Sequence, residues 1–213
     1  MIRPISTLAT ALALAAPALA QTAPATPAPA DAGAAAPAAA GDISGTYAFD
    51  PAHSQIVFSY DHMGFSVSHG FVNAVAGSVT LDSANPANST VEASFPLNSM
   101  RTIDAELDKH IMGPDFFNGA APDTQVTFKS TSVQVEDDDE AKVTGDLTLN
   151  GVTRPVTLEV ELRKAGPNPM TNKPAVGFEI EGKLKRSDFN LGAFAPAVSD
   201  DVELKISVEA SKG

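Results

Sequence analysis

The chain has 213 residues, 43% of them hydrophobic, with no cysteine and a formal net charge of −12. The lack of cysteine excludes disulfides, thiolate catalysis and thiolate metal sites, and the acidity argues against nucleic acid as a partner, because phosphates would be repelled. Arg3 and Asp31 cancel, so the excess negative charge falls entirely on residues 42–213, where it favours solubility.

The first twenty residues, MIRPISTLATALALAAPALA, carry one Arg, an Ala- and Leu-rich apolar run, and Ala18-Leu19-Ala20 before Gln21. That is the small-x-small pattern of a cleaved signal peptide, so residues 1–20 are read as a leader cut after Ala20 and the protein is expected in the periplasm. The run is shorter than the roughly 20 residues a membrane span needs and is broken by Pro17. Residues 21–41 are almost entirely Ala, Pro, Thr and Gly, which leaves nothing to build a core and predicts a disordered linker. Residues 42–213 contain no second linker and read as one domain.

Within the domain, residues 47–82 open with apolar residues alternating with polar or small ones, the period of half-buried strands. Ile56, Phe58, Tyr60 and His62 share one face. After a break at His62-Met63-Gly64, Phe65 and Val67 resume the alternation, and Val75, Gly77, Val79 and Leu81 carry a further strand, with Gly64, Gly70 and Gly77 as candidate bends or bulges. Val91, Ala93, Phe95 and Leu97 give another strand.

The period then changes. Met100, Ile103, Leu107 and Ile111 are spaced as one stripe of a short amphipathic helix over residues 100–112, stopped by Gly113-Pro114. The Phe116-Phe117 pair that follows would either plug a core or rim a pocket. Strands return at Val126 and Phe128, at Val133 and Val135, and from Val143 to Leu149, where Asn150-Gly151 signals a tight hairpin. Val156–Leu162, Val176–Leu184 and Val202–Val208 complete the pattern. The count predicts an all-β fold with one short helix, an antiparallel barrel of about eight strands, either crowded shut by its aromatics or enclosing a greasy cavity.

Few residues suggest chemistry. His53, His62, His69 and His110 lack the i, i+4 spacing of a helical metal site, although His62 and His69 would approach if they shared a hairpin face; no metal or other cofactor is expected. Glu136–Glu140 lacks the alternating ligands and glycine of a calcium loop. Ser66 lacks the second glycine of a nucleophile elbow, and Glu159, Glu161, Glu179 and Glu181 alternate outward from their strands. An enzyme is therefore not expected.

Several stretches together resemble the YceI family of secreted lipocalin-like proteins: Asp50-Pro51-Ala52-His53-Ser54, then Phe58, His62, Gly64, Ser66, Gly70 and Phe71, then Asp108-Lys109-His110-Ile111, Asp115-Phe116-Phe117, Phe128-Lys129-Ser130, the GDLTLNGVT run from Gly145, and Arg186-Ser187-Asp188-Phe189. Leu107 departs from the pattern, standing where the family usually places an Arg. The resemblance implies a barrel that sequesters or carries a polyisoprenoid or other long-chain lipid, with only transient membrane contact. On that reading the candidate ligand-binding residues are Phe58, Tyr60, His62, Phe65, Phe71, His110, Ile111, Phe116, Phe117, Phe128, Phe178 and Phe189. A greasy mouth would also allow a homodimer formed mouth to mouth. The alternative is an envelope stress or interaction protein with a solid barrel and no ligand.

Overall fold

Alternating side chains across residues 45–211 create strands with one apolar face, and a sheet of that length can hide this face only by curling onto itself. The computed structural model describes residues 42–213; the leader and linker expected over residues 1–41 lie outside the described residues. Strands β1 (Gly45–Phe49) and β2 (Gln55–His62) both run antiparallel to β11 (Asp201–Ser211), so they form one barrel stave interrupted at residues 50–54. Strands β3 (Ser66–Val72) and β4 (Ala76–Leu81) make a second stave along β2 and β1. Strand β5 (Thr90–Pro96) and the two-residue β6 (Met100–Arg101) make a third.

Strands β7 (Gln125–Val135), β8 (Glu140–Leu149), β9 (Val152–Pro167) and β10 (Pro174–Lys185) follow in meander order. Pairing of β11 with β10 on one side and with β1 and β2 on the other closes the ring. The result is the eight-staved antiparallel barrel expected from the sequence. Asn150 and Gly151 take the positive φ of 52° and 71° that the β8–β9 turn requires, with Leu149 opposite Val152, as their side chains predict.

The interruptions are held by local hydrogen bonds. In residues 50–54 the Asp50 carboxylate accepts the Ala52 N–H at 2.9 Å and lies 2.8 Å from His53 Nδ1, while the Asp50 N–H donates to Glu209 O at 2.8 Å. The Asp50–Ser54 motif is thus a splint inside a stave and takes no part in the barrel interior.

The helix is shorter than the sequence pattern suggests. It spans Ala105–Ile111 (α1), because Asp104 accepts the N–H groups of Glu106 and Leu107 at 2.9 and 3.0 Å and so satisfies donors that the first turn cannot. Met100 and Arg101 are claimed instead by the sheet, opposite Val72 and Phe71. Ile103, expected on the apolar stripe, is 91% exposed in the connection.

Two apolar clusters pack toward the ends. Leu97, Phe117, Val126, Val156, Phe189 and Leu191 pack at the end carrying α1. Tyr47, Val79, Val176 and Ala210 pack at the other, where Tyr47 Oη donates to Ile43 O at 2.9 Å.

Candidate ligand-binding lumen

Between the two clusters the barrel is hollow. A cavity of about 640 Å³ runs along its interior, inside the range of roughly 300–1,000 Å³ usual for small-molecule sites. Side chains facing it, including Phe58, Phe95, Phe128, Leu147, Val160, Ile180 and Leu204, keep some accessible surface although they point inward.

Glycines explain why these rings do not fill the bore. Phe58 stands opposite Gly70 on β3, and a Cβ on Gly70 would collide with the Phe58 ring. The Phe128 ring also lies over a glycine, Gly145 on β8, which stands diagonally across from it rather than opposite. With no side chain beneath, each ring lies against the wall and leaves the axis open. Gly70, expected from the sequence as a bend, is therefore a seat for a ring. The Gly70→Ala protein should fold, at a cost of about 1–3 kcal/mol for overpacking, but with the Phe58 ring turned into the lumen. Titration with a fluorescent fatty acid checks this, the expected result being a clear loss of affinity in a protein that still unfolds cooperatively, several degrees below the wild type.

The residues singled out from the sequence divide. Phe58, Tyr60, His62, His110, Ile111, Phe116, Phe117, Phe128 and Phe178 line the cavity. Three do not. Phe65 sits in the β2–β3 turn and is 89% exposed. Phe71 follows Gly70 on β3, and since Gly70 faces the lumen, alternation turns Phe71 outward. Phe189 is 1% exposed inside the end cluster, packed too deeply to reach a ligand. His62 and His69 do not meet: His62 lines the cavity, whereas His69, one place from Gly70, faces outward. Among the described residues, no three His, Asp or Glu side chains are grouped as metal ligands would be.

The Phe116-Phe117 pair resolves into both of its possible roles. Phe117 is 6% exposed in the end cluster, a plug. Phe116 is half-buried at the rim, its ring centroid 5.5 Å from His110 and 5.9 Å from Phe194. Phe194 was not marked by any strand period; it lies in a loop at a positive φ of 63°, an uncommon conformation for a bulky residue.

Arg186 also lines the cavity, two places after Leu184 on the stripe that begins at Val176, although a charged residue is not expected on an apolar face. It is buried, and its guanidinium donates all five N–H groups to main-chain carbonyls: Nε to Ser199, Nη1 to Leu191 and Ala193, Nη2 to Val198 and Ser199, at 2.6–3.1 Å. Burial lowers its pKa, opposed by the nearby Asp200 carboxylate. Its carbon Cζ lies 6.0 Å from the Phe116 ring centroid, a cation–π arrangement. Ser187 binds Asp200 through both its N–H and its hydroxyl, at 2.8 and 2.6 Å. The Arg186–Phe189 segment therefore ties the 190–200 loop over one end of the lumen. Leu107 adds an apolar side chain to the same end.

The geometry is that of a container: an apolar bore with polar groups at both ends, His62, His110 and Arg186 at the end carrying α1 and Asp82, Ser83, Asp137, Asp138 and Asp139 at the other. Three comparisons agree on its kind. The model of the YceI-like domain matches residues 47–210. The protein YceI of Escherichia coli O157:H7 is 42% identical over 174 residues, 81% of this chain and 90% of that protein. Among solved structures, Burkholderia cenocepacia BcnA superposes with a TM-score of 0.67 at 24% identity, over 76% of this chain and 99% of that one. A polyisoprenoid binding domain from Saccharophagus degradans, implicated in plant cell wall breakdown, superposes with a TM-score of 0.58 at 14% identity, over 78% and 98%. Barrel, motifs and relatives together place this chain in the YceI-like family.

Proposed function

We propose that the protein is a non-catalytic carrier of a polyisoprenoid or other long-chain amphiphilic lipid, exported to the periplasm with its leader removed after Ala20. The carrying observation is the hollow, largely carbon-lined bore that runs between the two apolar clusters. A polar ligand would lose its hydrogen bonds to water there at roughly 2–7 kcal/mol per stranded group, whereas an apolar chain gains about 0.8 kcal/mol for each CH₂ buried. Selection is then by length and girth of the chain, with the head group left among His62, His110 and Phe116 at the end carrying α1. No cofactor is required, and contact with the membrane need last only as long as loading or release.

The likeness to a domain described as polyisoprenoid-binding supports the choice of chain, and the open bore favours this reading over a stress or interaction protein with a solid barrel. The test is to express the full chain in a Gram-negative host, purify it from the periplasmic fraction and extract it with organic solvent for mass spectrometry. A mature chain starting at Gln21 with one long-chain lipid per protein is expected. Cytoplasmic retention would overturn export, and an extract without lipid, from protein that also fails to bind added prenols or fatty acids, would overturn the carrier reading.

A further inference from the structure

The barrel wall is not continuous along β7. Strand β5 pairs with β7 only from Gln125 to Lys129, whereas β8 accompanies it as far as Val135. The β7–β8 register shifts between Ser130 and Ser132, and such a bulge bends its strand. There β7 leaves β5: the Val91 N–H donates to the Ser130 side chain at 2.9 Å rather than to a carbonyl of the ladder. Past that point β7 is flanked by the Pro86–Asn88 turn, which is tied to its own base and not to the strand. Asp82 accepts the N–H groups of Ala84 and Asn85 at 3.0 and 2.9 Å and the Asn88 amide at 3.2 Å. Among the described residues, no hydrogen bond joins residues 83–89 to β7. The lumen continues into this gap, faced by Leu81, Pro86, Ser89, Val91, Val133 and Val135. Val135 is 46% exposed, so the apolar lining meets water here.

Charge decides which end of an amphiphile belongs at the gap. Its rim carries Asp82, Asp137, Asp138, Asp139 and Glu140, and the nearby Lys142 is taken up by Glu136 at 2.7 Å. At the other end of the same bore the buried Arg186 guanidinium is bonded to main-chain carbonyls, while the nearby Asp200 carboxylate is engaged by Ser187. An apolar bore with charges of opposite sign at its two ends carries a field along its axis. That field turns an acidic head toward Arg186 and away from the carboxylates.

We propose that the gap between β7 and the 83–89 connection is a second opening of the lumen, through which the hydrocarbon tail of a bound amphiphile leaves the barrel while its head stays at the end carrying α1. Length then sets a floor for tight binding and no ceiling, because carbons beyond the capacity of the bore pass out through the gap. The inference rests on the carrier reading and adds to it the route of the chain.

The delipidated full chain and a series of saturated fatty acids of increasing length test it, with displacement of a fluorescent fatty acid as the readout. Each added CH₂ should tighten binding by up to about fourfold until the bore is filled, after which the affinity should level off. Two single-tryptophan proteins locate the chain, since the sequence contains no Trp: Val135→Trp at the gap and Phe116→Trp at the rim near α1. A nitroxide at the methyl end of a long acid should quench Val135→Trp and spare Phe116→Trp, and a nitroxide beside the carboxylate should do the reverse. Affinity that falls once the bore is filled, a methyl-end label that spares Val135→Trp, or a carboxylate-end label that quenches it would each overturn the second opening, and the bound ligand would leave the carrier reading standing. Failure of every acid to bind would overturn both.

Discussion

Replacing Arg186 with Ala should remove about 3 kcal/mol of stability or more, because it strands several carbonyl acceptors at once, from a domain whose total is of the order of 5–15 kcal/mol. Its five N–H groups satisfy four carbonyls of the 190–200 loop, and a buried acceptor deprived of its donor costs about 1–3 kcal/mol. Arg186→Lys should rescue little, because a compact ammonium with three donors cannot span a fork of five. Chemical denaturation of both proteins measures the loss, and limited proteolysis should cut first within residues 190–200. A Lys protein as stable as the wild type would mean that the charge alone matters and that the hydrogen-bonded fork does not.

Phe117→Ala should cost about 3–5 kcal/mol, as truncation of a buried ring does, while Phe116→Ala should cost only about 1 kcal/mol, the worth of its edge contacts. The neighbours set the difference. Phe117 is enclosed by Leu97, Val126, Val156, Phe189 and Leu191, whereas Phe116 touches His110 and Phe194 at the rim. Denaturant melts must use delipidated protein, since bound lipid would stabilise the folded state by mass action. Phe116→Ala should also speed release of bound lipid, because a wall of the exit is gone. Equal losses for the two substitutions would remove the distinction between plug and rim.

Much of this architecture is legible in the residues themselves. Alternation locates the staves, Asn150-Gly151 fixes a hairpin, and the aromatics at Phe58, Phe128 and Phe178 lie on strands whose period puts them on the apolar face. Alternation states which residues share a face but not whether an isolated ring belongs to it: Phe71, one place from Gly70, is expected among the lining residues and faces solvent. Main-chain competition is also hidden from a periodic reading. Met100 and Ile103 fit a helical stripe, yet a two-residue ladder with β3 and an N-cap at Asp104 delay the helix. The loop residue Phe194 has no period at all, and Arg186, although it continues the β10 alternation, is held in place by hydrogen bonds made across the end of the barrel.

The glycine seats bear most directly on function. Gly70 and Gly145 are ordinary strand glycines in the sequence, and only the pairing register reveals that each underlies a ring. A side chain at either position would push its ring toward the axis and narrow the bore. Whether the bore is open is thus decided by residues that contribute no side chain to it.

The account rests on the bore accepting an apolar chain, and a single introduced tryptophan can observe that event, since the chain contains none. Delipidated Phe58→Trp and Met170→Trp proteins would be titrated with a fatty acid carrying a nitroxide on its chain. Phe58 lines the lumen and Met170 is exposed in the β9–β10 loop. The expected result is saturable quenching at one equivalent for the Phe58→Trp protein and almost none for the Met170→Trp protein. Equal quenching in the two, or none in the first, would contradict a ligand held inside the barrel.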